Sequence, residues 1–106
     1  MQARNLLMGA LAVSVGALSA AHARAAEPIK IGFAIAQSGW LANYDLAPFR
    51  AAVTKIDEIN AAGGLLGHQI EYKVIDTKTE QERSAAAGAE LVNESVNMLV
   101  VSCDYD

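Results

Sequence analysis

The sequence predicts an α/β chain of order β-α-β-α-β built on a parallel sheet, and three observations carry that expectation. Residues 29–36 alternate, with Ile29, Ile31, Phe33 and Ile35 on one face and Lys30, Gly32, Ala34 and Ala36 on the other. Three of those four are small enough for a helix to pack closely, and a strand covered on both faces is usually an inner strand of a parallel sheet. Two stretches at helical spacing follow, each long enough for a right-handed crossover between parallel strands. Residues 97–102 form a short, nearly unbroken apolar run, as a buried parallel strand does.

Residues 1–25 stand apart from that pattern. They carry Arg4 and Arg24 and no acid, with an apolar run from Leu6 to Leu18 broken only by Gly and Ser. Small residues follow at alternate positions, so the segment is expected to be a secretory signal peptide. Ala23-x-Ala25 places cleavage before Ala26, and Ala21-x-Ala23 is the competing site. A membrane anchor is the alternative, but the apolar run falls short of the roughly 18–20 residues that a spanning helix needs. No stable membrane insertion is expected after cleavage. No Cys follows the apolar run, which argues against a lipid anchor.

The whole chain holds 8 Lys/Arg and 12 Asp/Glu; losing Arg4 and Arg24 would leave 6 basic residues and a net charge of −6. That balance disfavours nucleic acid and anionic membrane surfaces as partners. The charges are scattered, as a soluble surface has them.

Taken in order, the first strand at 29–36 ends in the polar loop Gln37-Ser38-Gly39-Trp40. A helix follows, with Leu46, Phe49, Val53 and Ile56 on one stripe. Asn43 or Asp45 is expected as its N-cap, with Pro48 tolerated in the first turn. Asn60-Ala61-Ala62-Gly63-Gly64 ends it, with a glycine available for a left-handed C-cap. Residues 69–76 alternate polar and apolar up to Val74, as an outer strand does. Two overlapping capping boxes, Thr77 with Glu80 and Thr79 with Glu82, predict the start of a second helix running to about Asn93. Its inner stripe is expected at Ala85, Ala89 and Val92, with Ala86 and Leu91 beside it. Such an order is half of a doubly wound domain.

No catalytic motif emerges. The turn Ala36-Gln37-Ser38-Gly39-Trp40 lacks a dinucleotide fingerprint, and no phosphate-cradling Gly-Lys-Ser/Thr loop is present. His68 stands alone in a turn and is expected to be solvated, with no second His or Cys at metal-ligand spacing. Asp57-Glu58 is expected to be an exposed charge pair. Ser38 has no base to activate it. An enzyme is therefore not expected, and no cofactor or metal is implied.

Ligands in open α/β sheets bind outside the carboxyl ends of the strands. Two loops reach that edge: Ser38, Gly39 and Trp40 with Tyr44, and Ser102, Cys103, Asp104 and Tyr105. Together they bring hydroxyls, backbone N–H groups, a carboxylate and three aromatic rings to one rim, which suits capture of a small molecule without chemistry. Trp40 and Tyr44 could instead pack the loop onto the first helix.

These residues resemble the start of periplasmic binding proteins of the branched-chain amino acid (Leu/Ile/Val-binding) type. The match runs through Ile29-Lys30-Ile31-Gly32, then Ser38-Gly39 with Tyr44, then Ile59-Asn60-Ala61-Ala62-Gly63-Gly64-Leu65-Leu66-Gly67-His68, and the second strand ending at Asp76. The resemblance implies that residues 26–106 form the first half of lobe one of a type I periplasmic-binding-protein fold, three-layered and incomplete. It implies a ligand held between two lobes and delivered to the membrane permease of an ABC transporter, hence a periplasmic location. Ser38, Gly39 and Tyr44 would match the family's first cleft loop, and Ser102 to Tyr105 the loop after the third strand, which offers hydroxyls and N–H groups to a ligand carboxylate. Two departures stand out. Asp104 and Asp106 put negative charge where a carboxylate would bind, and Trp40 replaces a commonly small residue or Pro. The expected ligand therefore carries a cationic, amide or hydroxyl-rich group beside a flat or apolar part. The family's disulfide is not expected, because Thr77-Lys78-Thr79 contains no Cys; Cys103 would be free or pair with a residue beyond position 106.

Two other classes share the opening pattern: a ligand-sensing domain of a regulator or receptor, and an exported α/β enzyme with catalytic groups elsewhere. The chain ends at Asp106, in the loop where a third helix would begin, so an N-terminal fragment is expected. Alone, it is expected to be unstable or to aggregate through the edge of its third strand.

Overall fold

The computed structural model describes residues 26–103; the expected signal peptide at 1–25, and Asp104, Tyr105 and Asp106, lie outside the described residues. The order is β1 (Ile29–Ile35), α1 (Ala42–Ala61), β2 (Ile70–Asp76), α2 (Gln81–Asn93) and β3 (Met98–Val101). The sheet is parallel with order β2-β1-β3, so the first strand is central. Each strand gives its carboxyl end to the same edge. Among the described residues no helix is long and apolar enough to cross a membrane.

The two faces of β1 divide the core as the alternation predicts. Ile31, Phe33 and Ile35 cluster with Ile56 of α1 and Ile70 of β2. The rings of Phe49 and Tyr72 meet Phe33 edge-on, with centroids 5.1 and 6.0 Å away. On the other face, Ala34 packs against Ala87 and Leu91 of α2. A Cβ at Gly32 would lie 3.1 Å from both Leu91 methyl carbons, so the absent side chain lets α2 come close.

The inner faces of both helices are rotated from the predicted stripes. In α1 the core-facing set is Phe49, Ala52, Ile56 and Ile59, with Leu46 and Val53 half-buried beside it. In α2 the buried residues are Ala87 and Leu91, while Ala85, Ala86, Ala89 and Val92 are exposed. Alanine is apolar on every face of a helix, so an Ala-rich stretch gives no phase of its own. Leu91, filling the space over Gly32, sets it.

The helix starts also differ from expectation. α1 begins at Ala42 after Leu41, with no side-chain cap. Pro48 is its seventh residue, beyond the first turn, and has no N–H to give the Tyr44 carbonyl. Asp45 is buried and turns back to accept the Ala36 N–H at 2.8 Å. α2 begins at Gln81 after Glu80, and neither capping box forms. Glu80 instead pairs with Arg83 at 2.6 Å, an exposed contact that contributes little.

β3 is also less buried than its composition implies: Met98, Leu99 and Val101 are all substantially exposed. Among the described residues β1 is its only strand neighbour, and α1 leaves an apolar groove of about 450 Å³ in front of Met98 and Val100.

The Asn60 to His68 stretch has a direct physical account. The Asn60 side chain acts as one more strand partner for β2, accepting the Ile70 N–H and donating to the Ile70 carbonyl, both at 2.8 Å. Gly63 (φ 106°) and Gly64 (φ 89°) reverse the chain after the helix, as a left-handed ending requires. Leu65 and His68 then exchange backbone hydrogen bonds of 2.7 and 2.9 Å. His68 is not simply solvated; its Nδ1–H donates to the Glu27 carbonyl at 2.6 Å and ties the turn to the chain entering β1. Replacing Asn60 with Ala leaves both Ile70 backbone groups without their partner and should lower unfolding stability by about 2 kcal/mol. Urea unfolding followed by circular dichroism measures it.

Candidate functional site: the carboxyl edge of the sheet

The β1–α1 loop leaves the sheet after Ile35 and is fixed at once by two carboxylates. Asp45 holds Ala36, as described, and Asp76 holds the next two residues. Asp76 is the last residue of β2, directly across from Ile35. Its Oδ1 accepts N–H groups from Gln37 at 2.9 Å, Ser38 at 3.3 Å and Lys78 at 2.8 Å. Its Oδ2 accepts the Ser38 hydroxyl at 2.7 Å. Thr79 adds a further tie, its hydroxyl donating to the Ser38 carbonyl at 2.9 Å.

The β1–α1 and β2–α2 loops are thus joined by side chains just where the sheet ladder ends. Lys78 and Thr79 hold positive φ values of 55° and 63°, which cost side-chain-bearing residues about 1–2 kcal/mol each in the left-handed region. Gly39, at φ 80°, lies so close to this turn that a Cβ would fall 2.4 Å from Thr79 Oγ1 and 2.9 Å from the Lys78 carbonyl oxygen.

Burial pushes the Asp76 carboxyl up, but the Ser38 hydroxyl and the N–H groups of Lys78, Gln37 and Ser38 together outweigh it and hold it below its ordinary value of 3.8. A carboxyl with a depressed native pKa stabilises the fold above its unfolded value and loses that contribution as pH falls through the native one. Stability of the wild type should therefore fall as pH drops below 3.8, more steeply than in Asp76→Asn. Thermal unfolding between pH 6 and pH 2 checks the difference.

Beyond this anchored segment the loop is open. Ser38, Gly39, Trp40 and Tyr44 are brought together and all are exposed. Trp40 and Tyr44 are 66% and 62% exposed, and their rings meet edge-on with centroids 6.3 Å apart, so neither is spent on packing the loop to the core. The Ser38 hydroxyl proton is already given to Asp76, which leaves the oxygen lone pairs for anything that approaches. On the other side of β1, the Ser102 N–H donates to the Ala34 carbonyl at 3.1 Å. Its hydroxyl oxygen is buried and has no hydrogen-bond partner among the described residues. Cys103 follows, exposed and unpaired. Asp104 and Tyr105, the remainder of the expected rim, lie outside the described residues.

Asp45, Asp76 and Thr79 were not among the residues the sequence singled out for the site. A carboxylate closing an apolar strand at Asp76, level with a polar loop after the neighbouring strand, is the signal that could have found the second of them. Among the described residues, no group of His, Cys, Asp and Glu could hold a metal ion.

The fold is a parallel α/β unit with an open rim at its carboxyl edge, and similarity to known proteins gives the family. The family model described as periplasmic binding protein matches residues 28–105, and the chain belongs to that family. It is 29% identical over 100 residues to the Leu/Ile/Val/Thr-binding protein of Salmonella typhimurium, covering 94% of this chain and 26% of that protein. It is 32% identical over 81 residues to the leucine-, isoleucine-, valine-, threonine- and alanine-binding protein of Pseudomonas aeruginosa, covering 76% of this chain and 22% of that one. Among solved structures, the branched-chain amino acid transporter substrate binding protein LivJ of Streptococcus pneumoniae, in complex with isoleucine, superposes with a TM-score of 0.64. The identity is 44%, over 68% of this chain and 21% of that one. The chain therefore spans about a quarter of the length of these relatives. Each of them is named for what it binds and none for a reaction.

Proposed function

We propose that this chain forms part of one lobe of the exported solute-binding component of an ABC-type uptake system. The ligand is an amino acid, an amide or a related small amphipathic compound, taken up in a cleft between lobes. The observation that carries this reading is the pair of exposed, mutually packed rings, Trp40 and Tyr44, at the carboxyl edge of a central strand in a chain of this family. The ligands for which the relatives are named support an α-amino acid or its close analogue. Trp40 and Tyr44 supply a surface for the apolar part of such a molecule, and Ser38, Gly39, Ser102, Cys103, Asp104 and Tyr105 the polar rim. The acidic pair Asp104 and Asp106 favours an amine or amide over a bare carboxylate near β3. Export follows from cleavage before Ala26, and the membrane permease is the partner that receives the ligand.

The test is a thermal-shift screen of the complete gene product with leucine, isoleucine, valine and threonine, their amides, and aromatic amides and amines. A rise in Tm of several degrees with an amphipathic amide or amine supports the proposal. Strong stabilisation by leucine or valine, with none by amide, amine or aromatic compounds, would overturn the ligand chemistry assigned to the acidic rim.

A further inference from the structure

We propose that Asp76 is the positioning residue of this site: it holds the β1–α1 loop in the shape that presents Trp40 to the ligand. This rests on the reading that Trp40 lines the cleft.

Trp40 has little else to orient it. Its ring is mostly exposed, and its aromatic neighbour Tyr44 is equally exposed, so no core contact sets its direction. Its position is inherited from the backbone on either side. On the helix side, the Trp40 carbonyl accepts a long hydrogen bond of 3.4 Å from the Asn43 N–H. On the strand side, Gly39 alone separates it from Gln37 and Ser38, the two residues that Asp76 holds.

The anchor reaches across two strands. The same Oδ1 that takes the Gln37 and Ser38 N–H groups also takes the Lys78 N–H, so one atom fixes the β1–α1 loop against the β2–α2 loop. The Ser38 carbonyl is held from the far side by Thr79, which leaves that residue tied at its N–H, its hydroxyl and its carbonyl. Gly39 has no side chain to spare at this contact, so any drift of the two loops passes directly into Trp40. No ligand atom needs to touch Asp76 for affinity to depend on it.

The chemistry of the anchor separates positioning from charge. An Asn at 76 keeps an oxygen that can accept the three N–H groups, and its amide can donate to the Ser38 oxygen. An Ala keeps none of these contacts. The experiment uses the complete gene product labelled with 5-fluorotryptophan, the Trp40 resonance being assigned by its loss in Trp40→Phe. Asp76→Ala should shift or broaden the Trp40 resonance in the unliganded protein and raise the Kd for leucine amide at least tenfold. Asp76→Asn should return the resonance and bring Kd to within threefold of wild type. Ser38→Ala removes the Oδ2 contact alone and should move the resonance in the same direction by less, which keeps the test open if Asp76→Ala fails to fold. A Trp40 resonance unmoved in a folded Asp76→Ala or Ser38→Ala protein overturns the proposal, as does an Asn variant that behaves like Ala. A resonance that moves while affinity is unchanged leaves Asp76 as the anchor of the loop and overturns the placement of Trp40 in the cleft.

Discussion

Gly64→Ala should cost about 3 kcal/mol of unfolding stability, more than the same change at any other glycine among the described residues. The residue sits at φ 89°, where an L side chain is strained whatever the space around it. The added Cβ would also fall 2.2 Å from the His68 carbonyl oxygen and 2.8 Å from its carbon, both backbone atoms that cannot rotate away. The hydrogen bond that this carbonyl accepts from the Leu65 N–H, and the turn between α1 and β2, would have to open. The neighbouring Gly63 has a larger φ of 106° but nothing within 4 Å of its notional Cβ, so Gly63→Ala should carry the conformational cost alone, about 1–2 kcal/mol. Guanidinium unfolding of the two variants side by side separates steric crowding from backbone preference. Equal losses would show that φ, and not the contact with His68, decides.

Gly39→Ala should act on the site. Its Cβ would lie 2.4 Å from Thr79 Oγ1, 2.8 Å from Thr79 Cβ and 2.9 Å from the Lys78 carbonyl oxygen, so the two loops must move apart by a sizeable fraction of an ångström. The expected stability loss is about 2 kcal/mol. Ligand affinity should drop at least tenfold, because the residue next to Trp40 carries the displacement. Adding Thr79→Gly removes the facing side chain and suits the φ of 63° found there, so part of both losses should return. Calorimetric titration of the single and double variants measures the coupling. Additive losses would mean that the Gly39–Thr79 contact is not what holds the loops together.

The sheet was legible in the sequence because β1 carries two kinds of information. Its isoleucines and Phe33 mark one face, and its small residues mark the other, so a central position with helices on both sides follows from eight residues. The Asn60-to-His68 turn was legible as a family feature, and the structure supplies its cause in the Asn60–Ile70 pairing and the backbone of Gly63 and Gly64. The helix faces were not legible, since Ala85, Ala86, Ala87 and Ala89 put the same small apolar group on every side of the middle of α2, and Leu91 against Gly32 fixes the rotation.

The capping residues failed for a related reason. Asp45, Thr77 and Thr79 have the chemistry of helix caps, but a buried strand end competes for the same groups. Asp45 is drawn to the Ala36 N–H and Thr79 to the Ser38 carbonyl. Thr77 is buried, with its hydroxyl unpartnered among the described residues. Local rules see the adjacent helix and not the end of β1, nine residues away for Asp45 and 41 from Ser38 to Thr79. Of the rim, the sequence picked out the exposed members, Trp40 and Tyr44, because aromatic rings in a polar loop are conspicuous. It passed over Asp76, most of whose partners lie in the β1–α1 loop, far from it in sequence.

The proposed ligand site is the carboxyl edge of the β2-β1-β3 sheet, with Trp40 on its rim. Isothermal titration of Trp40→Ala in the complete gene product tests it most directly, because a side chain 66% exposed can be removed at little cost to folding. Affinity should fall at least tenfold while the Tm of the unliganded protein stays within a degree or two. Unchanged affinity in a normally folded Trp40→Ala protein would contradict it.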